Sequence, residues 1–190
     1  MSSSSLRVVE PGDVEGILEI YAPIVRETVI SFELEPPNRM EMQDRIADTL
    51  LKYPWLVAEG DGRILAYAYA SDHRDRWAYH WAANVSVYVH PAARRRGLAR
   101  RLYAALLALL RAQGYYNVYA GIALPNEGSV GLHESMGFRR VALYMKVGFK
   151  LGEWRDVGWW ELALGEHPAE PPPPRSFAGL AKAETDSCLG

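Results

Sequence analysis

The chain has almost no cysteine. Only Cys188 stands among its 190 residues, which excludes an intrachain disulfide and a zinc site built on cysteines, and fits a reducing compartment. It has no excess of charge either: 21 Lys plus Arg face 23 Asp plus Glu, a formal net charge of -2, unlike a polycation that coats nucleic acid. No run approaches the roughly 20 apolar residues of a membrane span, and the opening MSSSSLRVVEPG lacks an apolar core of signal-peptide length. There is no internal repeat. The remaining composition, 49% hydrophobic and 23% charged, is that of one ordinary α/β domain, and the expected location is cytoplasmic.

What is present is a series of periodic segments between two polar ends. Residues 1–5 read as a disordered lead-in, 6–164 as the folded domain, and 165–190, with the run PPPP, as a disordered or extended tail. LRVV (6–9) predicts a short strand, and Val14, Ile17, Leu18, Tyr21, Ile24 and Val25 recur at helical spacing. A second helix is expected near 39–52. WLVAE (55–59), Gly60-Asp61-Gly62 and RILAYAYAS (63–71) predict a hairpin, because glycine supplies the positive φ of a tight turn. YHWAANVSVYV (79–89) follows as a long strand, then a helix with Leu98, Leu102, Leu106, Leu109 and Leu110 on one face and Gly114 at its end. YNVYAGIAL (116–124) is a strand, 127–136 a short helix, and strands near 139–147 and 156–164 close the domain. The order describes an α/β protein of the α+β kind, with a mixed, mostly antiparallel sheet and helices on both faces.

One stretch concentrates positive charge. NVSVYVHPAARRRGLARRLY (84–103) passes from an apolar strand through Arg94, Arg95, Arg96 and Gly97 directly into a helix carrying Arg100 and Arg101. A helix N-terminus presents unpaired N–H groups and partial positive charge, so this junction suits an anion. Glycine admits phosphate oxygens close to the backbone, and arginine offers charge-assisted bonds to them. A solvated basic patch would explain the arginines alone, but not the glycine, the strand and the helix around them.

Arg94-Arg95-Arg96-Gly97-Leu98-Ala99 resembles the pyrophosphate loop, Arg/Gln-x-x-Gly-x-Gly/Ala, of the Gcn5-related N-acetyltransferases (GNAT). Asn126 followed by SVGLHESMGF (129–138) is similar to that family's second cofactor segment. PWLVAE, AYAYA, the R-x-R-x-AY of Arg74 to Tyr79, GIALPN and GFKLGEWRDVGWW look like its phosphinothricin and methionine sulfoximine acetyltransferase branch. The resemblance spans about residues 6–164 and implies a GNAT fold and acetyl-CoA as co-substrate, with no metal. It implies contacts to acetyl-CoA from Val87, Tyr88, Val89, Arg94, Arg95, Arg96, Gly97, Leu98, Ala99, Arg100 and Asn126. It further implies a homodimer, in which the tryptophan-dense last strands pack between subunits, and a small-molecule amine as acceptor, with neither nucleic acid nor membrane as partner.

The chemistry needs a neutral amine, donors for an oxyanion and a proton for the departing thiolate. The family's general base is a Glu where this chain has Asn84, so a water-mediated relay would have to replace direct abstraction. His133 stands where many members carry a Tyr that protonates the thiolate; it is either a proton-transfer group or a packed residue. His80 is a weaker candidate, placed by strand alternation on the face of Asn84. Arg74 and Arg76 suit an acceptor's carboxylate or phosphinate, or else pair locally with Asp72 and Asp75. Phe32, Glu33 and Tyr79 match the segments that cover the acceptor, with core packing as the alternative for the two aromatics. The expected activity is acetylation of a small amino-acid-like amine of the phosphinothricin, methionine sulfoximine or methionine sulfone type. The alternatives are another small amine, a protein N-terminus, or an acetyl-CoA-binding module whose catalysis is impaired.

Overall fold

Two reciprocal hydrogen bonds start the second helix. Asn38 Oδ1 accepts the backbone N–H of Glu41 at 3.1 Å and the Glu41 carboxylate accepts that of Asn38 at 2.8 Å, satisfying donors that a helix start leaves unpaired. Gly114, at φ 97°, ends the third helix in the left-handed conformation. The computed structural model describes residues 4–189; the expected lead-in falls largely on 1–3, outside the described residues, while Ser5 already belongs to the first strand. The elements are β1 (Ser5–Val8), α1 (Val14–Glu27), α2 (Arg39–Lys52), β2 (Trp55–Gly60), β3 (Arg63–Asp72), β4 (Ala82–Val89), α3 (Leu98–Gln113), β5 (Asn117–Ala123), α4 (Glu127–Ser135), β6 (Arg139–Lys150), β7 (Glu153–Ala163) and α5 (Lys182–Leu189).

The seven strands form one sheet in the order β1-β2-β3-β4-β5-β7-β6. All neighbours are antiparallel except β4 and β5. Strand alternation divides the core. Trp55, Val57 and Tyr67 face α1 and α2, which bring Ile17, Ile20 and Met42. Leu56, Ala58, Ala66 and Ala68 face α3, whose Leu102, Leu106, Leu109 and Leu110 are fully buried. Helices therefore lie on both faces, as expected.

Three expectations change. The strand predicted from residue 79 begins at Ala82, because Trp77–Tyr79 form a 3-10 turn. The final strands extend to meet at Leu151-Gly152, both at positive φ (52° and 80°), so the segment between them is a tight hairpin. The tail is not left loose. Arg175 and Gln113 exchange bonds, N–H to Gln113 O at 2.8 Å and Gln113 Nε2 to Arg175 O at 2.8 Å. Trp81 Nε1 donates to Pro172 O at 2.7 Å. α5 lies on α3, with Cys188 and Leu189 against the core. Prolines contribute carbonyl acceptors without N–H donors to satisfy, so a few side-chain donors fix a segment poor in apolar residues.

Candidate active site

Gly97 precedes α3 at φ 76°, and a Cβ there would meet nothing within 4 Å. The residue is thus required by its backbone conformation and leaves open space before the helix N-terminus. That space is a groove of about 690 Å³ walled by Val87, Tyr88, Val89, Arg94, Arg95, Gly97, Leu98, Ala99, Arg100 and Asn126, with Ile24 and Ile30 from the opposite side. Of the expected cofactor residues only Arg96 is missing from its walls. The arginines divide their work. Arg100 reaches Ser135 Oγ at 2.7 Å, tying α3 to α4, and Arg101 reaches Ser4 Oγ at 2.7 Å. The side chains of Arg94, Arg95 and Arg96 make no hydrogen bond among the described residues. A cluster of uncommitted guanidinium groups beside free helix amides suits a polyanionic ligand such as the pyrophosphate of a coenzyme.

From this groove a cleft runs into the sheet. β4 and β5 pair only at Ala82↔Asn117, Ala83↔Val118 and Asn84↔Tyr119. Beyond Asn84 they diverge, so the edge of β4 from Val85 to Val89 has no strand partner toward β5, and its backbone groups can bind a ligand. A cavity of about 50 Å³ occupies the fork, lined by Val85, Ser86, Val87, Tyr103, Ala120, Gly121, Asn126 and His133 among others. Asn126 caps α4, its Oδ1 accepting Ser129 N–H at 3.1 Å.

His133 is 3% exposed. Its Nδ1 donates to Ser129 O at 2.7 Å, and its Nε2 lies 3.1 Å from the Tyr103 hydroxyl, which therefore donates to it. Burial lowers its pKa more than the Ser129 bond raises it. It is a neutral imidazole with both nitrogens engaged at the floor of the fork.

At the apex of the fork Asn84 Nδ2 donates to Asp72 O at 3.1 Å, and Asn84 Oδ1 lies 2.9 Å from His73 Nδ1. The His73 ring stacks on Tyr119 at 4.3 Å and meets Tyr79 edge-on at 6.0 Å. Tyr119 donates to Glu161 at 3.2 Å. The imidazole beside Asn84 is thus His73; His80 packs on Trp77 at 3.9 Å, because the 3-10 turn breaks the alternation that placed it with Asn84.

Residues 6–159 match the family model described as the acetyltransferase (GNAT) domain. The chain belongs to the GNAT family. It is 36% identical to the phosphinothricin N-acetyltransferase of Streptomyces viridochromogenes over 170 residues, 90% of this chain and 92% of the relative. It is 35% identical to the L-methionine sulfoximine/L-methionine sulfone acetyltransferase of Salmonella typhimurium, covering 87% of this chain and 97% of that one. Among solved structures, a GNAT superfamily phosphinothricin acetyltransferase from Sinorhizobium meliloti in complex with acetyl-CoA superposes with a TM-score of 0.84 at 34% identity, covering 89% of this chain and 92% of that chain.

In this GNAT acetyltransferase the loop after α1 forms the cover on the other side of the fork. Phe32 lies where a Cβ on Gly148 would stand, 2.1 Å from its ring, so that glycine admits the phenyl group against β6. Glu33 accepts from Tyr21 at 3.0 Å and pairs with Arg45 at 2.7 Å. Lys150 is buried and donates to Val25 O at 2.6 Å and Ser31 O at 2.7 Å; burial lowers its pKa, with Glu33 opposing. Neither Lys150 nor His73 was singled out by motif, since each acts through partners distant in sequence. Arg74 and Arg76 are exposed and unpaired among the described residues; Asp72 goes instead to Lys52 and Tyr53. They share the loop of His73 but do not wall the groove. Tyr79 and His73 wall a separate cavity of about 260 Å³ with Trp81, Tyr119 and the tail residue His167.

Proposed function

We propose that the enzyme moves the acetyl group of acetyl-CoA onto the amine of a small amino-acid-like acceptor of the phosphinothricin, methionine sulfoximine or methionine sulfone type. The observation that carries this is the β4–β5 fork, which joins an anion-binding groove at one end to the polar cluster at Asn84 at the other. The printed activities of the relatives point to the same acceptor class. Arg94, Arg95, Gly97 and the start of α3 hold the pyrophosphate, and Asn126 and the free edge of β4 hold the pantetheine and thioester. Backbone amides of β4 stabilise the oxyanion as the amine attacks. The amine gives up one proton before attack; its second proton goes to the departing thiolate. His133 acts through Tyr103, holding that hydroxyl in the fork where the thiolate leaves. Arg74 and Arg76 meet the acceptor's acidic group, with Phe32, Glu33 and Tyr79 around it.

The exposed apolar surface of β6 supports a homodimer. β6 is an edge strand, yet Met145 is 76% and Phe149 57% exposed, beside Val141, Val147 and Trp154. Such an edge is ordinarily covered.

The test is thiol release from acetyl-CoA against amino acid analogues and their decarboxylated amines. The analogues are turned over and the decarboxylated amines are not. Arg74→Ala lowers kcat/KM for the analogue roughly tenfold or more, the worth of a charge-assisted bond, with acetyl-CoA affinity unchanged. Equal use of analogue and decarboxylated amine removes the clamp. A second possibility, a binding module without catalysis, is favoured by Asn84 alone, and acetyl-CoA binding with no turnover across the panel selects it.

A further inference from the structure

Asn84 stands at the apex of the fork, on the last pair that β4 makes with β5, and its hydrogen bonds define a base beside it. A backbone carbonyl only accepts, so the Asn84 atom 3.1 Å from Asp72 O is its NH₂ group. The amide oxygen then faces His73 Nδ1 at 2.9 Å, and an oxygen acceptor requires the hydrogen to sit on Nδ1. In a neutral imidazole the other nitrogen is then bare. His73 Nε2 makes no hydrogen bond among the described residues. The ring cannot easily turn, because it is stacked on Tyr119 and flanked edge-on by Tyr79 and Trp159. Its position matters as much as its tautomer: His73 touches both side chains of the last β4–β5 pair, Asn84 and Tyr119, at the point where the fork begins.

Building on the acetyltransferase function proposed above, we propose that His73 is the general base and that Asn84 is the residue that positions it. Nε2 takes a proton from the acceptor's ammonium group, directly or across one water, leaving a neutral amine and an imidazolium. The amine nitrogen then bonds to the thioester carbonyl carbon, the carbon–sulfur bond breaks, and the second amine proton passes to the thiolate. The imidazolium returns its proton to solvent through the 260 Å³ cavity that His73 walls, so one proton is released per turnover. The Asn84 amide is therefore an anchor for an imidazole, and the base is the side chain it holds.

The titratable and charged groups around His73 are Asp72, held by Lys52 and Tyr53, Arg74, Asp75 and Arg76 on its own loop, and Tyr79 and His80 on the turn that follows. Across the ring lie Tyr119, bound to Glu161, and His167 on the far wall of the cavity.

Two measurements on the full chain test the assignment. Nitrogen-15 correlation spectra, with His73→Gln identifying the resonance, are expected to show Nδ1 protonated and Nε2 bare in the wild type, and mixed tautomers in Asn84→Leu. With methionine sulfone as acceptor, His73→Gln is expected to lower kcat/KM at pH 7 by roughly 10²-fold or more, abolish the low-pH limb of the rate profile and leave acetyl-CoA affinity within about twofold. Asn84→Leu should lose much of the rate, and adding it to His73→Gln should cost no more than His73→Gln alone, because Asn84 acts only through the imidazole. A wild-type Nε2–H tautomer, or a His73→Gln profile equal to wild type, overturns the base alone. Absence of wild-type turnover across the acceptor panel overturns the acetyltransferase reading and the base with it.

Discussion

A buried imidazole held neutral makes stability depend on pH in a known direction. Native His133 has a lowered pKa because burial outweighs its bond to Ser129, so below the ordinary imidazole value, about 6.5, the unfolded chain binds a proton that the native chain does not. Stability from this site is present above that pH and is lost as pH falls through it. His133→Gln should therefore show a smaller difference in unfolding free energy between pH 7 and pH 5 than the wild type, measured by urea denaturation. An unchanged difference would mean that His133 is not neutral in the folded protein. The residue-level signals in the sequence were of unequal quality. Gly97 and Asn126 stand inside local patterns, and both line the groove. His73 does not: it lies in a polar break, and only the pairing of Ser71 with Asn84 across β3 and β4 brings its loop to the fork. Alternation pointed to His80 instead, and alternation fails wherever a 3-10 turn interrupts a strand.

At the scale of an element, the junction between β4 and α3 combines a conformational requirement with an electrostatic one, and two substitutions separate them. Gly97→Asn keeps a residue that tolerates positive φ and places a neutral side chain in the open space of the groove; it should fold and lose less acetyl-CoA affinity than a charged replacement. Gly97→Glu adds strain of roughly 1–2 kcal/mol and sets a carboxylate among the groups proposed to hold the pyrophosphate. Calorimetry should find its acetyl-CoA affinity reduced tenfold or more, about 1.4 kcal/mol, while circular dichroism still reports a folded chain. Unaltered affinity would remove the loop from the coenzyme site. Helices α1 to α4 and strands β1 to β5 were legible because each carries a clear period and a local stop signal. The tail was not: its composition is that of a disordered segment, and its order depends on Gln113 and Trp81, whose donors no local pattern links to Pro172 or Arg175.

For the molecule as a whole, the sheet has two edges of different character. β1 is short, with Leu6 and Val8 packed on the core, whereas β6 is long and apolar on its exposed side. A monomer with this edge bare would invite aggregation. Sedimentation of the wild type at micromolar concentration should give twice the chain mass, and the paired change Met145→Glu with Val147→Glu should give a monomer; a wild-type monomer would remove the homodimer from the proposal.

The fork between β4 and β5 has the dimensions of a length gauge. It is wide where the groove enters and ends at a closed pair, Asn84↔Tyr119, with a cavity of only about 50 Å³ before that stop. Ala120 and Ile122 on its floor are already buried against α3, so a longer acyl chain has to push into a packed core, at about 1–3 kcal/mol. Butyryl-CoA should therefore be used at least roughly tenfold less efficiently than acetyl-CoA while binding through the same coenzyme contacts, and Ile122→Ala should narrow that ratio. On this account the length of the transferred group follows from where two parallel strands begin to diverge.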